Sequence, residues 1–363
     1  MTARRILMVA GEASADRHAA SVIRELKSLM PGVEIFGMGG PEMASAGMEC
    51  IYHMDEFSVM GITDVIPRLR SIYRIYSGLK HLIATRKPGL IIPVDLPDFN
   101  MRLARYAKRI GVNVLYYIAP QAWAWRHWRA RTLAKITDGL AVIFPFEVPF
   151  FSAYGVITRY VGHPFMESPQ ISREASWPPK KIGVMPGSRD HEITRMLPVM
   201  MEAKRLVQQK HPELTWHLPV APGLDRDTLR RMADADVVLE QDIPQVDLAM
   251  VKSGTSSFEM ALRGVPEVIC YRTSSINYML ARIFVRVKNI GMPNIIAGKT
   301  IAPELIQRYL TGEDLARTLR LYLEDSSLFE ATKISFARMR ESLGTMKASH
   351  GVAMWAQELL EKT

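Results

Sequence analysis

Cysteine is scarce: Cys50 and Cys270 are the two in 363 residues, and they show no CxxC spacing. That excludes a disulfide framework, and both read as small hydrophobes buried in a reducing compartment. Long apolar runs are missing as well, since nothing approaches the roughly 20 residues a membrane-spanning helix needs. The longest greasy stretch, 139–151, is broken by Pro145, Glu147 and Pro149. The start offers Arg4 and Arg5, a short apolar run and then Gly11-Glu12, which is too early an ending for a signal peptide and reads as a first strand. No repeat of solenoid period is visible. The nine histidines show no HxxxH or HExxH pattern, so a metal site is not expected. Asp234-Ala235-Asp236 imitates a metal-binding DxD pair but falls between a helix and a strand, and reads as a solvated connection.

What is present is basic and ordinary in composition. The formal net charge is +9, with 48% hydrophobic and 23% charged residues, which suits a globular protein with an anionic partner. Nucleic acid, a phosphorylated small molecule and an acidic membrane all qualify on charge. Apolar runs at 6–10, 33–37, 90–94, 112–118, 140–144 and 159–161 alternate with helix-period segments. Their continuous hydrophobicity predicts strands buried on both faces of a parallel sheet. A second series follows at 182–185, 215–220, 237–239, 248–251 and 267–271, and the pattern reads as helical from 303 to the end. The polar, proline-bearing stretch 168–180 reads as a linker. The expectation is therefore α/β: two Rossmann-like doubly wound domains, 1–167 and 181–340, with a terminal segment 341–363. Such a pair places an active site in the cleft between them, at the carboxyl ends of the strands.

Four motifs follow strands. GEASAD at 11–16 opens the first helix, where Gly11 lets backbone approach a ligand and free amides attract oxygen; a tight turn capped by Ser14 is the alternative. In VDLPDFN, Asp95 ends a buried strand, where burial would raise its pKa toward that of a general base. Asp98 reads there as a helix cap. PGSR at 186–189 combines a glycine turn with Arg189, a clamp for a diphosphate. KSGTSSFE at 252–259 offers Ser253, Gly254, Thr255 and Ser256 as a phosphate cradle, with Glu259 placed to hold ribose or simply to sit in a helix's first turn. It lacks a Walker order, so ATP hydrolysis is not indicated. Finally, AWAWRHWRAR holds three of the six tryptophans beside three arginines, and Val65, Leu69, Ile72 and Tyr76 share one helix face among basic residues. Both suit a lipid headgroup region or ordinary packing.

Together VAGEASAD, FSVMGITDVI, VDLPDFN, IAPQAWAWR, MPGSR, KSGTSSFEMAL and MPNIIAG with PELIQ resemble the lipid-A-disaccharide synthase family, in order from residue 9 to about 307. The resemblance implies the glycosyltransferase-B architecture and an inverting transfer. The donor would be UDP-2,3-diacylglucosamine and the acceptor 2,3-diacylglucosamine 1-phosphate, with no cofactor and no nucleic acid. It carries the essential aspartate onto Asp95, the PGSR arginine onto Arg189 and the LPN asparagine onto Asn294, although Met292 replaces that leucine and Ala15 stands where GEASGD is common. Substrate contacts are expected at Gly11, Glu12, Ser14, Asp98, Asn100, Arg189, Ser253, Gly254, Thr255, Ser256, Glu259, Arg272, Asn294 and Gln307. Membrane contacts are expected at Val59, Met60, Ile62, Val65, Ile66, Leu69, Ile72, Trp123 and Trp125. The resemblance further implies a peripheral protein of the cytoplasmic face of the inner membrane, a homodimer, and a last helix packed on the first domain. A UDP-sugar 2-epimerase of the same architecture and a nucleic-acid-binding protein are the rival readings.

Overall fold

The computed structural model describes residues 4–56, 65–167, 175–221, 224–274, 278–279 and 287–362, with side chains from Arg70 onward in the helix that begins at Val65. The chain divides into two units, 1–167 with 343–363, and 168–342.

In the first unit the apolar runs pair as parallel strands. They are β1 (Arg5–Val9), β2 (Glu34–Gly39), β3 (Glu49–His53), β4 (Leu90–Pro93), β5 (Asn113–Tyr117), β6 (Gly139–Val142) and β7 (Thr158–Tyr160). Their order is β3-β2-β1-β4-β5-β6-β7, so the sheet reverses direction of growth between β1 and β4. Ile6, Met8, Leu7 and Val9 are all fully buried, because helices cover both faces and both sides of each strand are core. Strand β3 was not apparent from the sequence. It is a short edge strand, ECIYH, with polar ends and partial burial, and it gives neither an apolar run nor clean alternation.

Helix α1 (Ala13–Leu29) turns Ala19, Val22, Ile23 and Leu26 into the core, as their i, i+3, i+4 spacing demands. Against α1 packs the last helix of the chain, Ala348–Glu361. Its Trp355, 3% exposed, lies so close to Gly139 that an added Cβ would sit 2.5 Å from the indole. Arg159 to Glu358 (2.8 Å) and Ser349 Oγ to Glu167 (2.6 Å) tie the same helix to this unit. Cys50 is half-buried rather than fully interior; Cys270 is buried.

The second unit repeats the arrangement with β8 (Lys181–Met185), β9 (Thr215–Pro219), β10 (Val237–Glu240), β11 (Leu248–Lys252), β12 (Glu267–Tyr271) and β13 (Glu304–Ile306). The order is β10-β9-β8-β11-β12-β13, reversing between β8 and β11. Strand β13 corrects the helical reading from 303 onward: three residues are too few to show a period, and pairing with β12 decides their conformation. The described part of the expected linker is held to this unit, where Asp247 accepts from Ser176, Lys180 and Lys181. Asp234 and Asp236 both face Lys204, at 3.3 and 2.5 Å, and Arg205 also bonds Asp234. The DxD imitation is thus neutralised by cations and braces a helix.

One buried carboxylate yields a stability prediction. Glu147 accepts from Trp123 Nε1 (3.1 Å) and the Phe144 N–H (3.2 Å), and burial pushes its pKa from 4.5 up to about 8 against those hydrogen bonds. The folded state holds the neutral acid, while the unfolded chain ionises near pH 4.5. Stability is therefore complete below that pH and falls as pH rises toward 8, by at most about 1.4 kcal/mol per unit. Glu147→Gln should raise the thermal midpoint by several degrees at about pH 8.5 and change little near pH 4. An equal shift at both pH values, read by calorimetry, would contradict a neutral Glu147.

Candidate active site

Each unit places its motifs at its own switch point, the position where open α/β sheets bind ligands. In the first unit that point lies at the carboxyl ends of β1 and β4, occupied by Gly11-Glu12 and Asp95. Asp95 and Leu96 both have left-handed backbone, φ 50° and 49°, and Ile118 after β5 has φ 62°. Non-glycine residues in this region cost about 1–3 kcal/mol each, and such strain collects at functional sites. The surroundings enforce it. The Asp95 carbonyl accepts from Asn100 Nδ2 (2.8 Å) and the Tyr116 hydroxyl (2.7 Å), and its N–H donates to Tyr117 O (2.9 Å).

The carboxyl itself is left to titrate. Burial first, then the charge of Glu12, raise its pKa from 3.8 to about 6, with a hydrogen bond from the Leu96 N–H opposing. A base near neutrality combines the correct protonation state with useful driving force. Tyr116 is pushed well above its ordinary value by burial and by Asp95, so it stays a neutral donor.

Several sequence expectations change here. Ser14 does not cap α1; the helix starts at Ala13 behind an extended Glu12. Asp98 does not cap helix α2 (Pro97–Arg109), whose N-cap is the left-handed Leu96. Instead it binds Arg129, and Arg126 lies 3.7 Å away. Asn100 is fully buried and donates its Nδ2 to the Val94 and Asp95 carbonyls, while its Oδ1 is buried with no hydrogen-bond partner among the described residues; it positions Asp95. Gly11 is buried too, and its missing Cβ makes room for Leu96 Cδ2, 2.6 Å from where a Cβ would lie. Packing, more than ligand approach, requires that glycine.

The expected membrane contacts divide. Val59, Met60 and Ile62 lie outside the described residues; Val65, Ile66 and Leu69 fall on the helix Val65–Arg86, where side chains are described from Arg70. Ile72 packs on the core cluster with Ile75, Leu79 and Ile83, so from there on the apolar face is internal. Trp123 is half-buried, bonded to Glu147 and edge-on to Phe146 at 5.1 Å. Trp125 and Trp128 are exposed, at 42% and 59%.

In the second unit the switch point lies at the carboxyl ends of β8 and β11, where PGSR and KSGTSS sit. Gly187 has φ 122°, and a Cβ there would lie 2.4 Å from Glu192 Oε2; only glycine fits that turn. Glu192 was not singled out from the sequence. It accepts from the Ser188 N–H (3.1 Å), pairs with Lys252 (2.9 Å) and has Arg189 at 3.9 Å. Burial raises its pKa, but Lys252, Ser188 and Arg189 outweigh this and hold it below the usual carboxylate value. A carboxylate gathering an amide, a lysine and an arginine marks an anion-favouring loop. Arg189 is 66% exposed, so its fork is free to engage a ligand. Thr255 is exposed, Gly254 and Ser256 are half-buried, and Ser253 Oγ donates to Ile290 O (2.9 Å).

Four further expected contacts are braced internally. Glu259 pairs with Arg263 at 2.5 Å. Asn294, 1% exposed, uses its whole amide: Nδ2 donates to Ala302 O and Glu304, and Oδ1 accepts from Ile301 and Ala302 N–H. It clamps the 289–304 loop. Gln307, left-handed at φ 53°, exchanges two hydrogen bonds with Thr273, and Arg272 donates to Leu310 O. A cavity of about 470 Å³ in this unit is lined by Lys181, His217, Arg226 and Glu240 and contains none of these residues. Chemistry, not concavity, therefore locates the site.

Comparison with known proteins agrees with the topology. The family model described as lipid-A-disaccharide synthetase matches residues 6–356. The lipid-A-disaccharide synthase of Geobacter metallireducens is 41% identical over 376 aligned positions, covering 99% of this chain and 98% of the relative. Among solved structures, a UDP-N-acetylglucosamine 2-epimerase from Neisseria meningitidis bound to UDP-GlcNAc superposes with a TM-score of 0.63 at 12% identity, covering 99% of this chain and 100% of the other. A calicheamicin glycosyltransferase gives 0.63 at 16%, covering 99% and 98%. At such identities the two structures establish the fold, which is of the glycosyltransferase-B type, and not an epimerase activity. With the family model spanning nearly the whole chain and a synthase relative aligned end to end, this chain belongs to the lipid-A-disaccharide synthase family.

Proposed function

We propose that the chain is an inverting hexosyltransferase of lipid A biosynthesis, joining UDP-2,3-diacylglucosamine to 2,3-diacylglucosamine 1-phosphate. The observation that carries the mechanism is Asp95: a strained, backbone-locked carboxylate at a switch point, with its pKa raised to about 6. Asp95 takes the proton from the acceptor 6-hydroxyl as that oxygen bonds to the donor's anomeric carbon. The bond from that carbon to the diphosphate oxygen breaks on the opposite face, and UDP leaves with the electron pair. Arg189, Lys252 and the 253–256 loop stabilise the departing charge, which preorganised donors do without reorganisation.

Among the described residues no helix is long and apolar enough to cross a membrane. In this reading the protein works as a homodimer held peripherally on the cytoplasmic face of the inner membrane. Exposed Trp125 and Trp128 favour that reading, since tryptophan is enriched at headgroup level. Incubation with both acylated sugars should yield disaccharide and UDP in equal amounts by mass spectrometry. Conversion of water-soluble UDP-N-acetylglucosamine without any disaccharide would favour the epimerase instead.

A further inference from the structure

Arg129 is a buried cation with an exposed counter-ion. Its side chain is 5% exposed, whereas that of Asp98, its partner, is 78% exposed. The Nε of Arg129 is buried with no hydrogen-bond partner. Arg126 reaches the same Asp98 oxygen at 3.7 Å and stacks on Trp125 at 4.0 Å. Among the described residues, two guanidiniums thus share one carboxylate, which leaves a net positive charge at a partly dry position. A desolvated arginine is stabilised by a close, desolvated anion, and a solvated aspartate is a poor one. Asp98 follows Asp95 by three residues and lies in the first turn of the helix Pro97–Arg109. Tyr116, which bonds the Asp95 carbonyl, also feels the charges of Arg129 and Asp98, so these groups and the candidate base form one cluster.

We propose that Arg126 and Arg129 form the subsite for the phosphate monoester of the acceptor, the phosphate taking the place of Asp98 on the two guanidiniums. This rests on the transferase reading above. Arginine forks match phosphate bidentately and make charge-assisted hydrogen bonds. A sugar held by its phosphate at this end presents its far hydroxyl toward Asp95. Asp98 then keeps the arginines in place until the acceptor arrives, and turns to solvent when it does.

The test compares two acceptors, the acylated glucosamine 1-phosphate and the same acylated sugar without phosphate, in neutral detergent micelles. The ratio of their kcat/KM values is the readout, because a general loss of fold or of catalysis lowers both equally. Arg126→Ala and the conservative Arg129→Lys should each lower the ratio about 10–100-fold, chiefly through KM for the phosphorylated acceptor. Arg126 is the safer variant, its side chain being 36% exposed. An unchanged ratio overturns the subsite while leaving the transferase reading intact. So does a loss that appears only with anionic phospholipid vesicles, which would assign the arginines to lipid headgroups. A wild-type protein that makes disaccharide from neither acceptor overturns both.

Discussion

Asparagine at position 95 will lower kcat by about 10²–10⁴-fold, the usual contribution of a positioned general base, while UDP still binds. The substitution keeps size and leaves untouched the backbone bonds that hold the residue, which run through its carbonyl and N–H. The pH profile supplies the sharper half of the prediction. With the carboxyl raised to about 6 by burial and Glu12, the wild type is active in the ionised form. Its rate should fall as pH drops through about 6, tenfold for each unit below. The asparagine variant should lose that limb entirely. A variant that turns over normally, or keeps the same acid limb, removes Asp95 from its role. Glu12→Gln offers a control on the electrostatics: deleting the neighbouring charge should move the limb to lower pH.

Removal of the Arg189 fork is the other large effect. The departing group is a nucleoside diphosphate whose negative charge grows as the glycosidic bond breaks. Arg189 and Lys252 already gather round Glu192, and the 66% exposure of Arg189 leaves it able to turn toward a ligand. Arg189→Ala should cost about 10²–10³-fold in kcat, the range seen when one charge-stabilising donor is removed. UDP should also become a weaker competitive inhibitor. Lysine in its place restores charge without the bidentate geometry, so recovery should be partial. An alanine variant with unaltered UDP inhibition would place the diphosphate elsewhere. The two variants separate cleanly, because the Asp95 change acts on proton removal and the Arg189 change on departure of UDP.

Much of this was legible in the chain. Fully buried parallel strands must be continuous apolar runs, so β1, β4, β8, β11 and β12 declared themselves within a residue or two. The motif positions followed, because glycine and small polar residues directly after such runs mark turns at strand ends. Strands β3 and β13 were hidden. Both are short sheet edges, held by their neighbours and not by their own periodicity.

The site was less legible than its motifs. VDLPDFN announces a carboxylate at a strand end, but not that Asp95 and Leu96 would both be left-handed. Nor does it reveal that Asn100 and Tyr116 would hold them so. The letters do not tell that Asn100 and Asn294 are buried, since an exposed and a fully buried asparagine read alike; four hydrogen bonds make Asn294 a brace of its own loop. Glu192 is not marked by any motif, and Arg129 reads only as one of three arginines beside the tryptophans, because their importance lies in partners distant in sequence or turned inward by folding. Lys252 is 60 residues from Glu192 by their positions in the chain.

By itself the sequence determined the architecture and the chemical vocabulary: two doubly wound sheets, with a carboxylate after one strand and basic, hydroxyl-rich loops after others. Those follow from local rules of hydrophobic period and backbone freedom, which act between near neighbours. Tertiary structure alone decided which groups are dry, which are paired and which still have capacity for a ligand. Desolvation and hydrogen-bond satisfaction depend on everything within a few ångströms, and folding, not chain order, chooses those neighbours.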